Sequence, residues 1–469
     1  MSTPEITPVQ AELATTPTDP AIPKTHHGAH WIEDWRPEDP VFWQEKGARI
    51  AKKNLIFSVL SEHIGFSVWS MWSVLVLFLG PEYGIDAAGK FLLTALPTLL
   101  CAVLRLPYTF AVATFGGRNW TVISALLLLI PTIGIVIVLQ PGVSYGTLLF
   151  VACLAGFGGG NFASSMTNIN AFYPARLKGW ALGINAGGGN IGVPVVQLIG
   201  LLILATIGAS YPRVLPLIYI PLIIAAAVGA YLKMNNLTEM RNAKRAMRDV
   251  SKDAHTWIIS LLYIGTFGSF IGFSFAFGQV LQVQFADIFS TPVKAAYLTF
   301  IGPLIGSLIR PYGGSLADKL GGARVSFVNF VAMALGAAIV LTASLMHSLP
   351  LYLVGFIMLF AFSGLGNGSV YKMIPAIFKA KSGLEITRHG VDPAVSMAKS
   401  QRYAGALIGI AGAIGAFGGV LVNLAFRQSF LATKSADSAY IAFICFYAIC
   451  FAVTWYVYLR PSAKRLDGV

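Results

Sequence analysis

The sequence predicts an all-α membrane protein of twelve transmembrane helices in two six-helix, pseudo-symmetric bundles. Three observations carry that prediction. Of 469 residues, 56% are hydrophobic and 11% charged, with mean hydropathy +0.70; soluble domains run nearer about a quarter charged. Apolar runs of about 20 residues, enough to cross a bilayer, recur from end to end. They are too continuous for barrel strands, which alternate apolar and polar over about ten residues. One charged stretch, "KMNNLTEMRNAKRAMRDVSKD" at 233–253, divides the runs six and six.

In chain order, residues 1–50 form a cytoplasmic tail and an interfacial segment. Residues 1–28 are polar and Pro/Thr-rich, lack the apolar stretch of a signal peptide, and read as disordered. His26, His27 and His30 belong to this polar tail rather than to a metal site. In "WIEDWRPEDPVFWQEKG", Trp31, Trp35, Phe42 and Trp43 suit the headgroup level of a membrane. The N-terminal bundle, 51–234, holds spans at 55–79, 88–114, 120–140, 146–172, 180–208 and 213–233. A basic cytoplasmic linker, 235–255, follows. The C-terminal bundle, 256–469, holds spans at 256–286, 295–317, 325–346, 350–378, 401–430 and 438–460 and ends in a short cytoplasmic tail. Glycine, proline or charged residues bound each span. Cys101, Cys153, Cys445 and Cys450 all fall inside spans, with neither metal nor disulfide spacing.

The net charge of +13 follows topology rather than nucleic acid. If the spans alternate, Lys52, Lys53, Arg118, Arg176, Lys178, the cluster from Lys233 to Lys252, Lys319, Arg324, Lys379, Lys381, Arg388, Arg460, Lys464 and Arg465 share one side. The other side holds Lys90, Arg213, Lys294, Arg427 and Lys434. That bias places both termini in the cytoplasm of a cell-membrane protein.

The two halves repeat. "LLTALPTLLCAVLRLPYTFAVATFGGR" in span 2 aligns with "YLTFIGPLIGSLIRPYGGSLADKLGGAR" in span 8, so Arg105 falls on Arg310 and Gly116 on Gly321. "GGGNF" at 158–162 echoes "GLGNG" at 364–368. Parallel repeats of this kind build rocking transporters with a site near the midplane between the halves. Arg105 and Arg310 stay charged. A mid-span charge costs about 2.5–3.5 kcal/mol on insertion scales and marks a pathway. Snorkelling is awkward from mid-span, and the deep parts of the spans offer hardly any acid as partner. At about 8 Å and an effective dielectric near 20 the two would repel by about 2 kcal/mol. A bound anion reverses that sign.

Several motifs carry a family resemblance. "GGSLADKLGGAR", 313–324, with Asp318 and Arg324, resembles the loop signature of the major facilitator superfamily. "LRLPYTF" (104–110), "NFASSMTNINAFYP" (161–174), "GWALGINAGGGNIGVPVVQ" (179–197), "TFGSFIGFSFAF" (266–277), "GNGSVYKMIPAIF" (366–378) and "SQRYAGALIGIAGAIGAFGG" (400–419) are similar to the nitrate/nitrite porter family, in the same order. The resemblance implies nitrate and nitrite as substrates, a monomer, the lipid bilayer as surroundings and no cofactor. It implies a pocket with aromatics Phe66, Phe162, Phe267 and Tyr263, with Asn190 as an amide donor and Ser369 as a further polar group. Planar guanidinium forks match flat oxyanions, which lysine would not.

Two coupling schemes follow. A doubly positive pocket that resists closing when empty favours nitrate/nitrite exchange, the preferred reading. The alternative is proton-coupled symport, which needs a titrating group. Glu62 and His63 in "SEHIGFSVW" are its candidates, or else ordinary polar residues near a span end. Lys372 in "SVYKMIP" either snorkels or adds charge to the inner vestibule. A carrier of another small anion is a further alternative. An enzyme is not expected: there is no metal spacing, nucleophile motif or sizeable soluble domain, and Gly187-x-Gly189-x-x-Gly192 lies inside a span with no strand before it.

Overall fold

The computed structural model describes residues 28, 30–238, 240, 244–461, 466, 468 and 469. His26, His27 and almost all of the expected polar tail therefore lie outside the described residues; His30 places Nδ1 3.1 Å from the Met234 carbonyl. The fold is a helical bundle. The first span, α1, is Ala48–Ser70, resumed after Met71 as Trp72–Phe78. Next come α2 (Ala87–Phe115), α3 (Gly117–Val138), α4 (Tyr145–Phe172), α5 (Ala175–Thr206) and α6 (Val214–Lys233). The second half comprises α7 (Ala254–Gln284), α8 (Pro292–Leu320), α9 (Gly322–Leu345), α10 (Leu349–His389), α11 (Pro393–Thr433) and α12 (Asp437–Leu459). Among the described residues, eleven helices, α2 to α12, are long and apolar enough to cross a membrane. In α1 the apolar pattern is diluted by Lys52, Lys53, Glu62, His63 and a ladder of serines.

The helix starts follow local chemistry. Side chains of Asp86, Ser144, Asp253 and Asp392 accept hydrogen bonds from the first free backbone N–H groups of α2, α4, α7 and α11, satisfying donors that a helix start leaves open. The repeat is visible in backbone geometry. Gly116 and Gly321 end the corresponding helices α2 and α8, and both have φ of 88°, a region that favours glycine.

Two differences from the sequence expectation stand out. Helices α10 and α11 each run 41 residues, well past the expected ends at 378 and 401. The charged stretch 379–400 is helix, broken only where Gly390 turns left-handed (φ 62°) and Asp392 and Pro393 start α11. Each helix is about 60 Å long at about 1.5 Å per residue, twice the hydrocarbon thickness of about 30 Å. The second difference is the interfacial segment, which turns its rings onto protein. Phe42 and Trp43 are buried, Trp35 packs edge-on against Phe42 and Phe172, and its Nε1 donates to the Ala171 carbonyl at 3.2 Å. Trp31–Ile32 (β1) pairs in parallel with Asn236–Leu237 (β2), tying this segment to the linker.

The basic loops gather at one end. There Arg118 donates to the Tyr231 carbonyl, Lys372 pairs with Asp318 at 2.8 Å, and Lys381 pairs with Asp253. Lys372 is thus half-exposed and compensated. At the opposite end the halves are closed together. Phe91 stacks on Phe426 and Phe430 at 5.6 and 5.4 Å. Thr94 donates to Asn423 Oδ1 at 2.8 Å, Gln197 to the Ser274 carbonyl at 2.8 Å, and Gln279 to the Ala87 carbonyl at 2.6 Å.

Candidate anion-binding site

A cavity of about 360 Å³ lies between the halves and reaches the basic end. Arg105, Phe162, Tyr371 and Gly412 line its deep part; Met240, Met247, Gln401 and Arg402 line its mouth. Elements of both halves therefore build it, as the repeat requires.

Arg105 projects from α2 and is fully buried. Its Nη1 donates to the Gly412 carbonyl of α11 at 2.5 Å, and its Nε approaches the Gly159 carbonyl of α4 at 3.4 Å. Its Nη2 is buried without a protein partner. Arg310 projects from α8 and is 7% exposed. Its Nη2 donates to the Tyr263 hydroxyl at 3.3 Å, and its Nη1 is buried without a partner. Among the described residues no ion pair links either arginine to a carboxylate.

Aromatic rings surround these cations. The Arg105 guanidinium lies 4.7 Å from the centre of Phe162, 5.1 Å from Phe267 and 5.9 Å from Trp69. The Arg310 guanidinium lies 6.0 Å from Phe267 and 5.7 Å from Tyr371. Phe267 thus stands against both. A π-helical turn at Ile264–Gly268 interrupts α7 here, the kind of irregularity common at functional sites. Tyr263 and Phe267 stack at 5.2 Å, nearly parallel. Gly268, at the end of this turn, lets α7 lie close against α11: a Cβ there would lie 2.6 Å from the Gly418 Cα. Phe66 adjoins the box, 6.1 Å from Phe162 and 5.1 Å from Trp69. Cation–π contacts are worth roughly 0.5–2 kcal/mol each, whereas burying an ion costs several kcal/mol. The rings soften the cost without cancelling it, and the two cations keep a demand for an anion.

Of the expected site residues, Arg105, Arg310, Phe66, Phe162, Phe267 and Tyr263 meet here; Ser369 and His63 do not. Ser369 is engaged elsewhere: its hydroxyl is 2.9 Å from that of Ser326 on α9 and donates to the Gly366 carbonyl at 3.3 Å. Its place is the α9–α10 packing, where small hydroxyls bond across helices. His63 has Nδ1 3.2 Å from the Gly188 carbonyl of α5, at a helix interface. Asn190 is fully buried, and neither its Oδ1 nor its Nδ2 has a partner. A buried amide left so is costly, and it offers a donor for a ligand.

The chain is similar along almost its whole length to proteins of known function. The Major Facilitator Superfamily model matches residues 59–384. The nitrate/nitrite transporter NarU of Salmonella typhimurium is 38% identical over 460 residues, covering 94% of this chain and 98% of that protein. NarU of Escherichia coli is 37% identical, covering 95% of this chain and 100% of that protein. The probable nitrate/nitrite antiporter NarK2 of Thermus thermophilus is 33% identical, covering 93% and 98%. The chain belongs to the nitrate/nitrite porter family of the major facilitator superfamily. Solved structures support the fold alone. A D-xylose-proton symporter superposes with TM-score 0.60 at 15% identity, covering 87% of this chain and 97% of that one. The partially occluded inward-open xylose transporter XylE of E. coli gives 0.59 at 16%, covering 89% and 99%.

Within this porter, sequence reasoning passed over two further residues that adjoin the arginines, Tyr371 and Trp69, and a third, Asn367, that is a buried amide without a partner. Tyr371 has a buried, unpartnered hydroxyl beside Arg310. Trp69 faces Arg105 and packs edge-on against Phe275 of the other half. Asn367 is buried with both amide atoms unpartnered. Asn367 had a signal, as the polar centre of the "GLGNG" echo. Tyr371 had a weaker one, next to the conspicuous Lys372.

Proposed function

We propose that this porter carries nitrate and nitrite across the cell membrane by alternating access, with its basic end and both termini in the cytoplasm. The printed functions of its relatives support the substrates. The charge bias supports the orientation. The observation that carries the reading is the pair Arg105 and Arg310: buried, without carboxylate partners, each with one terminal nitrogen open, and sharing Phe267. Guanidinium forks favour flat oxyanions bound by parallel hydrogen bonds. Asn190, Tyr263 and Tyr371 supply neutral donors, and the rings exclude a hydrated competitor. Both arginines and their aromatic neighbours come from one chain, which supports a monomer as the transporting unit.

Two bare arginines repel when the pocket is empty, which by itself supports exchange of one anion for another. Competition in proteoliposomes tests the substrate assignment. Nitrate and nitrite are expected to displace each other from labelled-nitrate uptake, while formate and acetate leave it unchanged. Displacement by a carboxylate and not by nitrite contradicts it.

A further inference from the structure

One buried ionisable group near the pocket has no role in the reading so far. Glu62 on α1 is fully buried. Its Oε2 accepts from Ser165 Oγ of α4 at 2.5 Å and from Asn185 Nδ2 of α5 at 2.6 Å. Ser58 extends the cluster, 3.0 Å from Ser165. Its Oε1 has no partner. That oxygen sits where α5 carries Gly189: a Cβ there would lie 2.4 Å from it. The glycine run of α5 thus makes room for this carboxyl immediately beside the unpartnered Asn190.

The duplication shows that the cluster is particular to one half. Asn161 in α4 corresponds to Asn367 in α10, and at the same spacing Ser165 corresponds to Tyr371. The C-terminal half puts the aromatic cluster of Tyr263, Phe267 and Tyr371 where the N-terminal half puts a carboxyl and its donors. A carboxylate in a bilayer is expensive and marks an ion or proton pathway. The groups that act on Glu62 electrostatically include Arg105 from α2, Arg310 from α8 and Tyr371 from α10; His63 is its neighbour on α1. None of these is a close ion-pair partner.

We infer that Glu62 is a proton site coupled to the anion pocket, alternating with the transported anion as counter-ion to the two arginines. With the pocket empty, the ionised carboxylate offsets one arginine, so the halves can rock without cargo. With an anion bound, Glu62 takes up one proton at Oε1, becoming a neutral carboxylic acid. One proton then crosses with each monovalent anion, and both are released on the far side, restoring the carboxylate. The pair moves no net charge, so a negative cell interior does not oppose uptake. The inference rests on the nitrate/nitrite reading and adds its coupling.

The test uses the purified full chain in liposomes held at zero membrane potential, with labelled nitrate. Two assays run in parallel: nitrate/nitrite counterflow, and net nitrate uptake with and without an inward proton gradient. The expected result is counterflow together with several-fold faster net uptake under the gradient. Glu62→Gln, a fixed mimic of the protonated state, is expected to lose that acceleration and to become an exchanger. Ser165→Ala, which removes one donor from the carboxyl, is expected to move the pH profile of uptake. Wild-type counterflow with net uptake indifferent to the gradient overturns the proton site and leaves the substrate reading standing. Absence of counterflow by nitrite overturns both. Acceleration that survives in Glu62→Gln but disappears in His63→Asn transfers the role to the imidazole and overturns the assignment to Glu62.

Discussion

Arg105 and Arg310 were legible in the sequence because a permanent charge in the middle of an apolar run has few explanations, and duplication at one repeat position removed most of them. Asn190, Phe66, Phe162, Phe267 and Tyr263 were marked only by family resemblance, since a phenylalanine in a membrane helix carries no sign of whether it packs or binds; the structure gathers the four rings near the arginines and leaves Asn190 buried without a partner. Ser369 shows the limit of that route: a motif position matched, yet its hydroxyl is spent on Ser326. Glu62 shows another limit, because its depth depends on α4 and α5 packing over it, which no local pattern in α1 reveals. The unpartnered groups give the sharpest expectations at this scale. Asn190→Ala is expected to raise the KM for nitrate about two- to tenfold, matching a neutral hydrogen bond of about 0.5–1.5 kcal/mol. Thermal unfolding of the detergent-solubilised protein is expected to be unchanged or improved, because the amide has no partner to lose. Tyr371→Phe is expected to behave similarly in labelled-nitrate uptake, with an effect on affinity and none on folded yield.

Glycine decides how closely the helices approach. A Cβ on Gly158 would lie 2.1 Å from the Gly65 carbonyl oxygen, so α1 and α4 touch backbone to backbone. Gly418 meets Gly268 in the same manner between α11 and α7. Such contacts allow close packing of membrane helices, and they explain the glycine-rich runs that a nucleotide fingerprint would mimic: Gly189 and Gly192 face Glu62 and the His63 carbonyl, within a continuous helix. Gly158→Ala is expected to destabilise the protein by about 1–3 kcal/mol, the usual cost of overpacking, measured as a lower unfolding temperature in detergent. Spans were readable from hydropathy; the lengths of α10 and α11 were not. Hydropathy marks where lipid ends, whereas these helices continue through charged sequence held by Asp253–Lys381, Glu385–Lys399 and Tyr403–Asp249 contacts.

At the scale of the molecule, the sequence showed the twofold repeat and the basic face, but not which end is shut. That depends on contacts between halves far apart in the chain, such as Thr94 with Asn423 and Phe91 with Phe430. The cavity reaches the basic end, so Gly405→Cys, on its wall and with open space around its Cβ, is expected to react with a membrane-impermeant thiol reagent from that face only. Fixing the closed end by cross-linking cysteines at 94 and 423 is expected to stop transport while preserving that labelling. In the proposed cycle the two arginines grip the anion while the halves exchange their open ends. The most direct measurement is nitrate/nitrite counterflow by purified Arg105→Lys and Arg310→Lys, which keep the charge and remove the planar fork. The account predicts that each loses transport by about tenfold or more, the equivalent of one charge-assisted hydrogen bond of about 1.5–3 kcal/mol. Near-normal counterflow in both variants would contradict it.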